Sequence, residues 1–200
     1  MKVDPATIFG KERHDFYSSV FTPRPIAFVS TINTEGRYNA APFSCFGRMT
    51  QDPPILFFGA GRRGGKKKDT VNNIEAIGDF VVNMVDESIA EAMNQAGHNY
   101  PPQIDEIAEV GLTALISDKV KSPRIAESPI SMECKLVQIV EFGNKPNRNT
   151  IILGEILLVH VKDEILTDGK IDPWKAKIIA RLGDDNIYCR TTDVFKMDRV

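Results

Sequence analysis

The chain has 200 residues, of which 42% are apolar and 26% are charged, and its formal net charge is -2. This length and composition are typical of one globular domain, so we expect residues 1–200 to form a single domain. The small net charge excludes a general attraction to nucleic acid or to an anionic membrane. The sequence contains no apolar run long enough to span a bilayer and no apolar stretch of a signal peptide at its N-terminus. These features predict a cytoplasmic protein without nucleic-acid or membrane partners.

Short runs rich in β-branched and aromatic residues dominate the chain and predict strands. The runs are Ile26–Ile32, Ile55–Gly59, Asp79–Val85, Ser131–Phe142 and Thr150–Val161. Residues 143–149, between the last two runs, have the composition of a hairpin loop. Gly154 lies inside the last run and predicts a β-bulge or a tight bend.

Helical patterns are few and short. They cover Thr70–Ala76, Glu87–Ala96 and Pro173–Ala180. Thr70 is a candidate N-cap of the first helix and Gly78 a candidate stop. Residues 98–109 are expected to begin as a proline-containing loop and to end in a helical turn. Because the helices are inserted among the strands rather than alternating with them, the pattern favours a mainly antiparallel β-barrel with peripheral helices over a doubly wound parallel sheet.

The segment from Pro23 to Thr70 is the richest in candidate ligand-binding residues. Residues 33–36 (NTEG) predict a hairpin turn in which Gly36 adopts a positive φ. Residues 39–44 (NAAPFS) follow as a predicted loop that mixes small residues with hydrogen-bonding ones. Small side chains let a flat heterocycle lie against the backbone. An ordinary strand with an irregular end is the alternative interpretation.

A basic loop follows the strand at Ile55–Gly59. Residues 62–68 (RRGGKKK) carry five cations and run directly into Asp69 and Thr70, where a helix is predicted to begin. Cations next to the free N–H groups of a helix start form an anion site suited to a phosphate. A solvated loop without a ligand is the alternative.

The same loop contains a sequence that resembles a dinucleotide-binding fingerprint. Residues 59–64 (GAGRRG) match G-x-G-x-x-G after a strand. The third glycine is followed by GKKKD, which does not open a helix as that fold requires, and no P-loop motif is present. We therefore do not expect a Rossmann fold.

Several segments taken together resemble the flavin reductase-like family of FMN-binding split barrels. They are PRPIAFVST, NAAPFSCF, the following DPP, KDTVNNI, GDFVVNMV, DEIAEVGLT, PRIAESPISMEC, GEILLVHV and RLGDDNIY, which together span nearly the whole chain. The resemblance implies an antiparallel, FMN-binding split β-barrel that forms a homodimer. The basic loop of this chain is richer in glycine and lysine than the family pattern, so the resemblance does not identify which cations contact the phosphate.

The resemblance also assigns the cofactor-binding residues. It implies that Ser30 and Thr31 lie beside the flavin, that Asn39, Ala41 and Ser44 meet the isoalloxazine edge, and that Arg62, Lys68 and Thr70 meet the phosphate. Arg181 and Tyr188 follow a predicted helix and are candidates to stack on or clamp a planar ligand, although a C-terminal strand packed on the barrel would explain them equally. The flavin itself performs the electron transfer, so no acid–base triad is expected.

The implied function is that of an NAD(P)H-dependent flavin reductase. A flavoredoxin-like electron carrier, which binds FMN without oxidising a nicotinamide, is the first alternative. In either case the electrons pass on to another protein or an oxygenase, which the sequence does not identify. A non-catalytic protein that binds a phosphorylated ligand or RNA is the second alternative. Either Arg181 or Arg190 could contact the 2′-phosphate that distinguishes NADPH from NADH.

No metal or disulfide is expected. The three cysteines, Cys45, Cys134 and Cys189, are widely spaced and odd in number. His14 and His98 lack partners at ligand spacing. His160 lies in an apolar run, where a histidine is usually a hydrogen-bonded structural residue.

Overall fold

The structure is a computed structural model that describes residues 1–144, 148–183 and 186–198. Its strands, in chain order, are β1 (Arg24–Pro25), β2 (Ala27–Ile32), β3 (Tyr38–Phe43), β4 (Phe46–Arg48), β5 (Ile55–Ala60), β6 (Asp79–Met84), β7 (Ala114–Leu115), β8 (Arg124–Ile125), β9 (Ile130–Phe142), β10 (Asn149–Val161), β11 (Leu166–Thr167), β12 (Lys170–Ile171), β13 (Ile179–Leu182) and β14 (Ile187–Arg190). The helices are α1 (Gly10–Val20), α2 (Asp69–Ile77), α3 (Ala90–Gln95), α4 (Glu106–Glu109) and α5 (Pro173–Ala176), with 3₁₀ turns at Glu87–Ile89 and Asp163–Ile165.

Seven of these strands form the main sheet, in the order β3-β2-β6-β9-β10-β5-β4. All neighbours in it are antiparallel. Strands β1, β13 and β14 form a second antiparallel sheet, and two two-stranded sheets, β7-β8 and β11-β12, complete the fold. The mainly antiparallel β fold with peripheral helices is therefore as predicted, and β5 between two antiparallel neighbours excludes a Rossmann fold.

Both faces of the main sheet are buried, because strand residues alternate between two apolar clusters. In β2, Ala27 and Val29 belong to a cluster that includes Phe58 and Phe80. Phe28 belongs to a second cluster, which α3, α4 and the 3₁₀ turn at Glu87–Ile89 cover from the other side. Strand β3 lies at one edge of the main sheet and contacts α2 and α4.

The two longest strands contain the predicted irregularity. The pairing of β9 with β10 shifts register between Leu153 and Gly154. A Cβ on Gly154 would lie 2.3 Å from Phe80 Cζ and 3.3 Å from Cys134 Cβ. Glycine is thus required because the Phe80 ring packs directly on the backbone. The predicted loop between the strands includes residues 145–147, which lie outside the described residues.

Most predicted elements are confirmed within two residues, including the 33–36 turn, where Gly36 has a φ of 82°. The helix predicted over Pro173–Ala180 is wrong in its second half, because Lys177 adopts a left-handed φ of 46° and β13 then begins. Thr70 is not an N-cap, since α2 begins one residue earlier and Lys68 occupies that position. Residues 39–44 are not a loop: they lie mostly in β3, where Pro42 is tolerated in an edge strand.

Helix α1 was not predicted. Its only buried residue is Ser18, so it lacks the apolar stripe that identifies a surface helix from sequence. No helix within the described ranges is long and apolar enough to cross a membrane. Cys45, Cys134 and Cys189 are free thiols.

Candidate functional site

The basic loop folds back on itself between β5 and α2. Arg63 and Lys66 exchange two backbone hydrogen bonds, each of 3.0 Å. Gly64 and Gly65, between them, have φ values of 56° and 76°. Two consecutive positive φ values are the requirement of a two-residue hairpin turn, which only glycine meets without strain. Of the three glycines in the dinucleotide-like match, only Gly64 belongs to this turn, which it makes together with Gly65.

The turn sends the two neighbouring arginines in different directions. The Arg62 guanidinium donates to Glu141 Oε1 at 2.8 Å and to the Gly65 carbonyl at 3.2 Å. The Arg63 guanidinium instead donates to Asn99 Oδ1 at 2.9 Å and to the Gly97 carbonyl at 3.1 Å. Arg62 is therefore held at Glu141 on strand β9. Arg63 instead connects the basic loop to residues 97–99.

A cavity of about 620 Å³ lies between the basic loop, the start of α2, strand β3 and the segment 96–102. We call it the first cavity. Its cations are Arg63, Lys66, Lys67 and Lys68, and the start of α2 contributes Asp69 and Thr70. No side chain caps the start of α2, so its N–H groups add a favourable field for an anion.

A second cavity, of about 380 Å³, adjoins the first and shares Arg63, Lys68, Gly97 and His98 with it. Its remaining walls are the apolar Ile26, Pro42 and Met93 and the polar Ser44, Asn94, Arg181, Asn186 and Tyr188. The Tyr188 hydroxyl lies 3.5 Å from Asn94 Oδ1. The lining is thus mainly polar, with one apolar wall on which a planar ring can pack.

A buried polar network supports the first cavity from below. The Asn39 amide donates to Glu106 Oε2 at 2.6 Å, and the Ala40 N–H donates to the same oxygen at 2.8 Å. Asn39 Oδ1 accepts from the Thr70 hydroxyl at 2.9 Å and from the Thr31 hydroxyl at 3.2 Å. Asn73 donates to the Thr31 hydroxyl at 3.0 Å. The network therefore joins β2, β3, α2 and α4 in one hydrogen-bonded unit.

Two ionisable groups of the first cavity have shifted pKa values. Burial raises the pKa of Glu106 to about 7, with a further increase from Asp69; the Ala40 N–H and the cations Lys68 and Arg63 oppose the shift. Burial also lowers the pKa of Lys68, and the neighbouring Arg63 lowers it further. Lys68 Nζ lies 4.8 Å from the centroid of the Phe43 ring, which provides a cation–π contact.

The structure brings most of the predicted site residues together. Asn39, Ala41, Lys68 and Thr70 line the first cavity, and Ser44, Lys68, Arg181 and Tyr188 line the second. The Asn39 amide group donates to Glu106 and accepts from the hydroxyls of Thr31 and Thr70. It therefore lies beside the start of α2, in the wall of the first cavity.

Three predicted residues line neither of these two cavities. The Ser30 hydroxyl donates to the Pro123 carbonyl at 2.5 Å and accepts from Asn83 at 2.9 Å. Thr31 is fully buried and reaches the site only through Asn39. Arg62 is turned toward Glu141. Thr31 is linked to the first cavity through Asn39, and contact of these three side chains with a flavin stays a prediction.

The sequence analysis included Arg63 in the basic loop but did not assign it to the site, and it did not find Glu106 or the segment 96–102 as cavity-lining residues. Arg63 carries the same local signal as Arg62, and only the turn geometry separates them. Glu106 lies in α4, which Asp105 caps by accepting from the N–H groups of Ile107 and Ala108. That capping pattern is readable in the sequence, but the burial of the carboxylate at position 106 is not.

The residues of the two cavities fit a flavin mononucleotide. The cations and the start of α2 suit its phosphate, and the small side chain of Ala41 leaves room beside β3. The apolar wall formed by Ile26, Pro42 and Met93 suits its ring. The first cavity lies within the range of about 300–1,000 Å³ that is usual for small-molecule sites.

Outside these cavities, Asp118, Glu133 and His160 place three potential ligand atoms within 4.8 Å of one another. His160 Nε2 lies 2.7 Å from Glu133 Oε1, as expected for a hydrogen-bonded structural histidine. Both Glu133 oxygens also accept backbone N–H groups, from Asp118 at 2.9 Å and from Lys119 at 2.6 Å. The carboxylate is thus already occupied by protein donors.

Comparison with known proteins agrees with the fold. Residues 18–175 match the family model of the flavin reductase like domain. Nitrilotriacetate monooxygenase component B from Bacillus cereus is 30% identical, with 98% of each chain covered and a TM-score of 0.93. The 2-nitrobenzoate 2-nitroreductase NbaA of Pseudomonas fluorescens is 33% identical over 100% of this chain and 96% of that chain, with a TM-score of 0.90. A protein with a split barrel domain from Shewanella frigidimarina is 22% identical, with a TM-score of 0.84 over 98% of this chain and 96% of that one, which supports the split-barrel fold alone.

Proposed function

Because this chain belongs to the flavin reductase-like family, we propose that it binds FMN and oxidises NADH or NADPH through it. The observation that carries the proposal is the convergence of Arg63, Lys66, Lys67 and Lys68 with the start of α2 in a cavity that shares lining residues with a second, partly apolar one. This arrangement supports a phosphate site with a ring site next to it.

Arg63 and Lys68 are the two cations that we propose to bind the phosphate. Arg63 is held by Asn99 and Gly97, so its guanidinium is fixed before any ligand arrives. Lys68 is partly desolvated, which makes an anion beside it energetically favourable. Charge-assisted hydrogen bonds from these two cations, rather than from Arg62, would hold the phosphate.

The second cavity would hold the nicotinamide or another planar acceptor. A bound flavin supplies the hydride and electron transfer, and the protein supplies orientation and exclusion of water. Tyr188 and the apolar wall present surfaces on which a ring can pack. Of the two arginines considered for the 2′-phosphate of NADPH, Arg190 is ion-paired with Glu87, whereas Arg181 lines the second cavity. Arg181 is therefore the better candidate.

The proposal extends to two kinds of partner. Val137, Phe142, Leu157 and Val159 on β9 and β10 are between 39% and 60% exposed, and we propose that this hairpin contributes to a homodimer. Light scattering of the purified protein tests this, with Val137→Lys expected to give monomers. The second kind of partner would be a different protein, such as an oxygenase, that receives reduced flavin or electrons. One similar structure is a component of a monooxygenase, which supports this proposal.

Flavin binding is tested by fluorescence quenching of FMN, FAD and riboflavin. We expect FMN to bind more tightly than riboflavin, because only FMN has the phosphate. Lys68→Gln should weaken FMN binding by about 10- to 100-fold, the value of one charge-assisted hydrogen bond. Lys11→Gln is the matched control, since Lys11 is exposed, forms an ion pair with Asp15 and lines neither cavity. Equal affinities for FMN and riboflavin would contradict the phosphate assignment, and no flavin binding would overturn the proposal.

Anaerobic stopped-flow mixing with each nicotinamide tests the catalytic part. We expect the flavin absorbance of the loaded protein to bleach with NADH or NADPH. Flavin that stays oxidised with both, but is reduced by dithionite, would instead favour the flavoredoxin-like electron carrier.

A further inference from the structure

Glu106 is a buried carboxylate in the wall of the first cavity. Its exposed fraction is 7%, and the residue lines the cavity together with the cations of the basic loop. The proposed chemistry of the site gives this carboxylate no role. A buried acid beside an anion site needs explanation, because its negative charge opposes the binding of a phosphate.

The surroundings of Glu106 contain charges of both signs. The charged and titratable groups that share its cavity are Arg63, Lys66 and Lys67 on the basic loop, Lys68 and Asp69 at the start of α2, and His98 and Tyr100 on the segment 96–102, while Asp105 and Glu109 flank it on its own helix. Arg63 and Lys68 favour the ionised carboxylate, whereas burial and Asp69 favour the neutral acid. Together they leave the pKa of Glu106 at about 7, so a change in the charge of the cavity changes the protonated fraction of this carboxylate at neutral pH.

A phosphate bound by the same cations changes that balance in one direction. It offsets the positive charge of Arg63 and Lys68, and it adds negative charge to the cavity that Glu106 lines. Both effects favour the neutral carboxylic acid. We infer that Glu106 takes up a proton when the phosphate group of FMN enters the first cavity, so that ligand charge and carboxylate charge are exchanged rather than opposed. This inference rests on the proposed flavin site.

Glu106 also has a route to the ligand that does not depend on charge alone. Its Oε2 accepts from the amide of Asn39, whose Oδ1 accepts from the Thr70 hydroxyl at the start of α2. Glu106 is accordingly a positioning residue that holds Asn39 and, through it, Thr70. Because binding and protonation are linked reciprocally, FMN should bind more tightly as the pH falls through the titration range of Glu106.

Calorimetric titration of the purified protein with FMN tests the inference. At pH 7.5, titrations in buffers with different ionisation enthalpies give the number of protons taken up. The phosphate of FMN itself titrates near pH 6, so the informative quantity is the difference between the wild type and Glu106→Gln. We expect the wild type to take up about 0.5 proton more per FMN than the variant, the value for a pKa that moves by about one unit from neutrality.

The pH profile gives a second measurement. Between pH 6 and pH 9 the affinity of the wild type for FMN should fall by up to about tenfold more than that of Glu106→Gln. Glu109→Gln is the matched control, because Glu109 is exposed on the same helix, and it should behave as the wild type. Riboflavin should show no difference in proton uptake between the wild type and Glu106→Gln.

The outcomes separate this inference from the proposed function. If FMN binds but the wild type and Glu106→Gln take up equal numbers of protons, the inference is wrong and the flavin site stands. If neither protein binds any flavin, both fail. Circular dichroism of each variant verifies its fold, and Glu106→Asp, which retains a titratable group, should restore part of the proton uptake.

Discussion

Glu106 and Glu133 are both buried carboxylates, with exposed fractions of 7% and 0%, yet their pKa values move in opposite directions. Burial raises the pKa of Glu106 to about 7. Burial acts in the same direction on Glu133, but hydrogen bonds from the Asp118 N–H, from His160 and from the Lys119 N–H outweigh it and lower the pKa. The more deeply buried of the two acids is therefore the one that remains ionised.

The difference lies in the donors that meet each carboxylate. Both oxygens of Glu133 accept backbone N–H groups, and His160 adds a third donor. For Glu106, the Asn39 amide and the Ala40 N–H both donate to the single oxygen Oε2, and Asp69 adds a like charge. When protein donors reach both oxygens of a buried carboxylate, they replace the hydrogen bonds that water made to the ion. When donors reach only one oxygen, burial of the ionised carboxylate remains unfavourable.

The two sites serve different purposes as a result. Glu133 fastens the loop that contains Asp118 and Lys119 to strand β9, so its charge belongs to the folded structure. Glu106 lines a cavity that contains four cations, so its charge can respond to a ligand. Ionisation in a buried site is thus a structural feature in one case and an adjustable one in the other.

Glu133→Gln should have the largest effect on stability. The substitution places an amide NH₂ against N–H donors and removes the charge that three hydrogen bonds stabilise, so we expect a loss of about 3 kcal/mol in the free energy of unfolding at pH 7. Because the folded-state pKa lies below 4.5, this contribution is present above pH 4.5 and is lost as the pH falls through the folded-state value. Urea denaturation at pH 7 and pH 4 measures it.

Glu164→Gln is the control for this substitution, since Glu164 is 74% exposed and lies 3.9 Å from Lys162. It should change the free energy of unfolding by less than about 0.5 kcal/mol. If Glu133→Gln were equally mild, the donors around Glu133 would not offset its burial, and the contrast with Glu106 would disappear.

Glu106→Gln should change the free energy of unfolding in the opposite direction to Glu133→Gln. A raised folded-state pKa favours the folded state below the unfolded-state value of 4.5, and this advantage is lost as the pH rises through about 7. The wild type should therefore lose stability relative to the variant between pH 4.5 and pH 7, by about 1–2 kcal/mol after allowance for solvent screening in the cavity. At pH 8, in the absence of flavin, the variant should be at least as stable as the wild type. A variant that is less stable at pH 8 than at pH 5, relative to the wild type, would contradict the assignment.

The sequence allowed the strands to be predicted, because their signals are local. Runs rich in β-branched and aromatic residues identify β2, β5, β6, β9 and β10, and Gly154 marks the register shift in β10. The basic loop was interpreted as an anion site from its composition and from the helix that follows it, and this interpretation stays a prediction. The family resemblance extended these local signals to the split-barrel fold.

Glu106 could not be predicted, because its environment is made by contacts distant in the chain. Its hydrogen bonds to Asn39 and Ala40 span 67 and 66 residues. Arg62 and Arg63 are neighbours in the sequence, and nothing local distinguishes them. Arg62 pairs with Glu141, which lies 79 residues away in the chain, and this pairing cannot be read from the basic loop itself. Composition indicates that a cluster of cations will bind an anion, but long-range pairing decides which of them do so.

His160→Leu should have a smaller effect than Glu133→Gln. It removes one of three donors to Glu133 and leaves both backbone N–H groups in place, so we expect a loss of about 1 kcal/mol in the free energy of unfolding. Added to Glu133→Gln, the same substitution should cost much less, since the shared interaction is already broken. Strictly additive losses in the double variant would show that His160 acts independently of Glu133.

Zinc should have the smallest effect of all. Asp118, Glu133 and His160 lie close enough to bind a metal ion, but a metal would displace the donors already held by both Glu133 oxygens, and the Arg124 guanidinium lies 3.8 Å from Glu133 Oε1. Since an ion stabilises a protein only when its concentration exceeds its dissociation constant, micromolar zinc should leave Tm unchanged in the wild type and in His160→Leu. A rise in Tm in the wild type that is absent from His160→Leu would make Glu133 a metal ligand. Its charge would then be held for an ion, as that of Glu106 is adjusted to a phosphate, and the distinction between a structural and a ligand-responsive carboxylate would not hold.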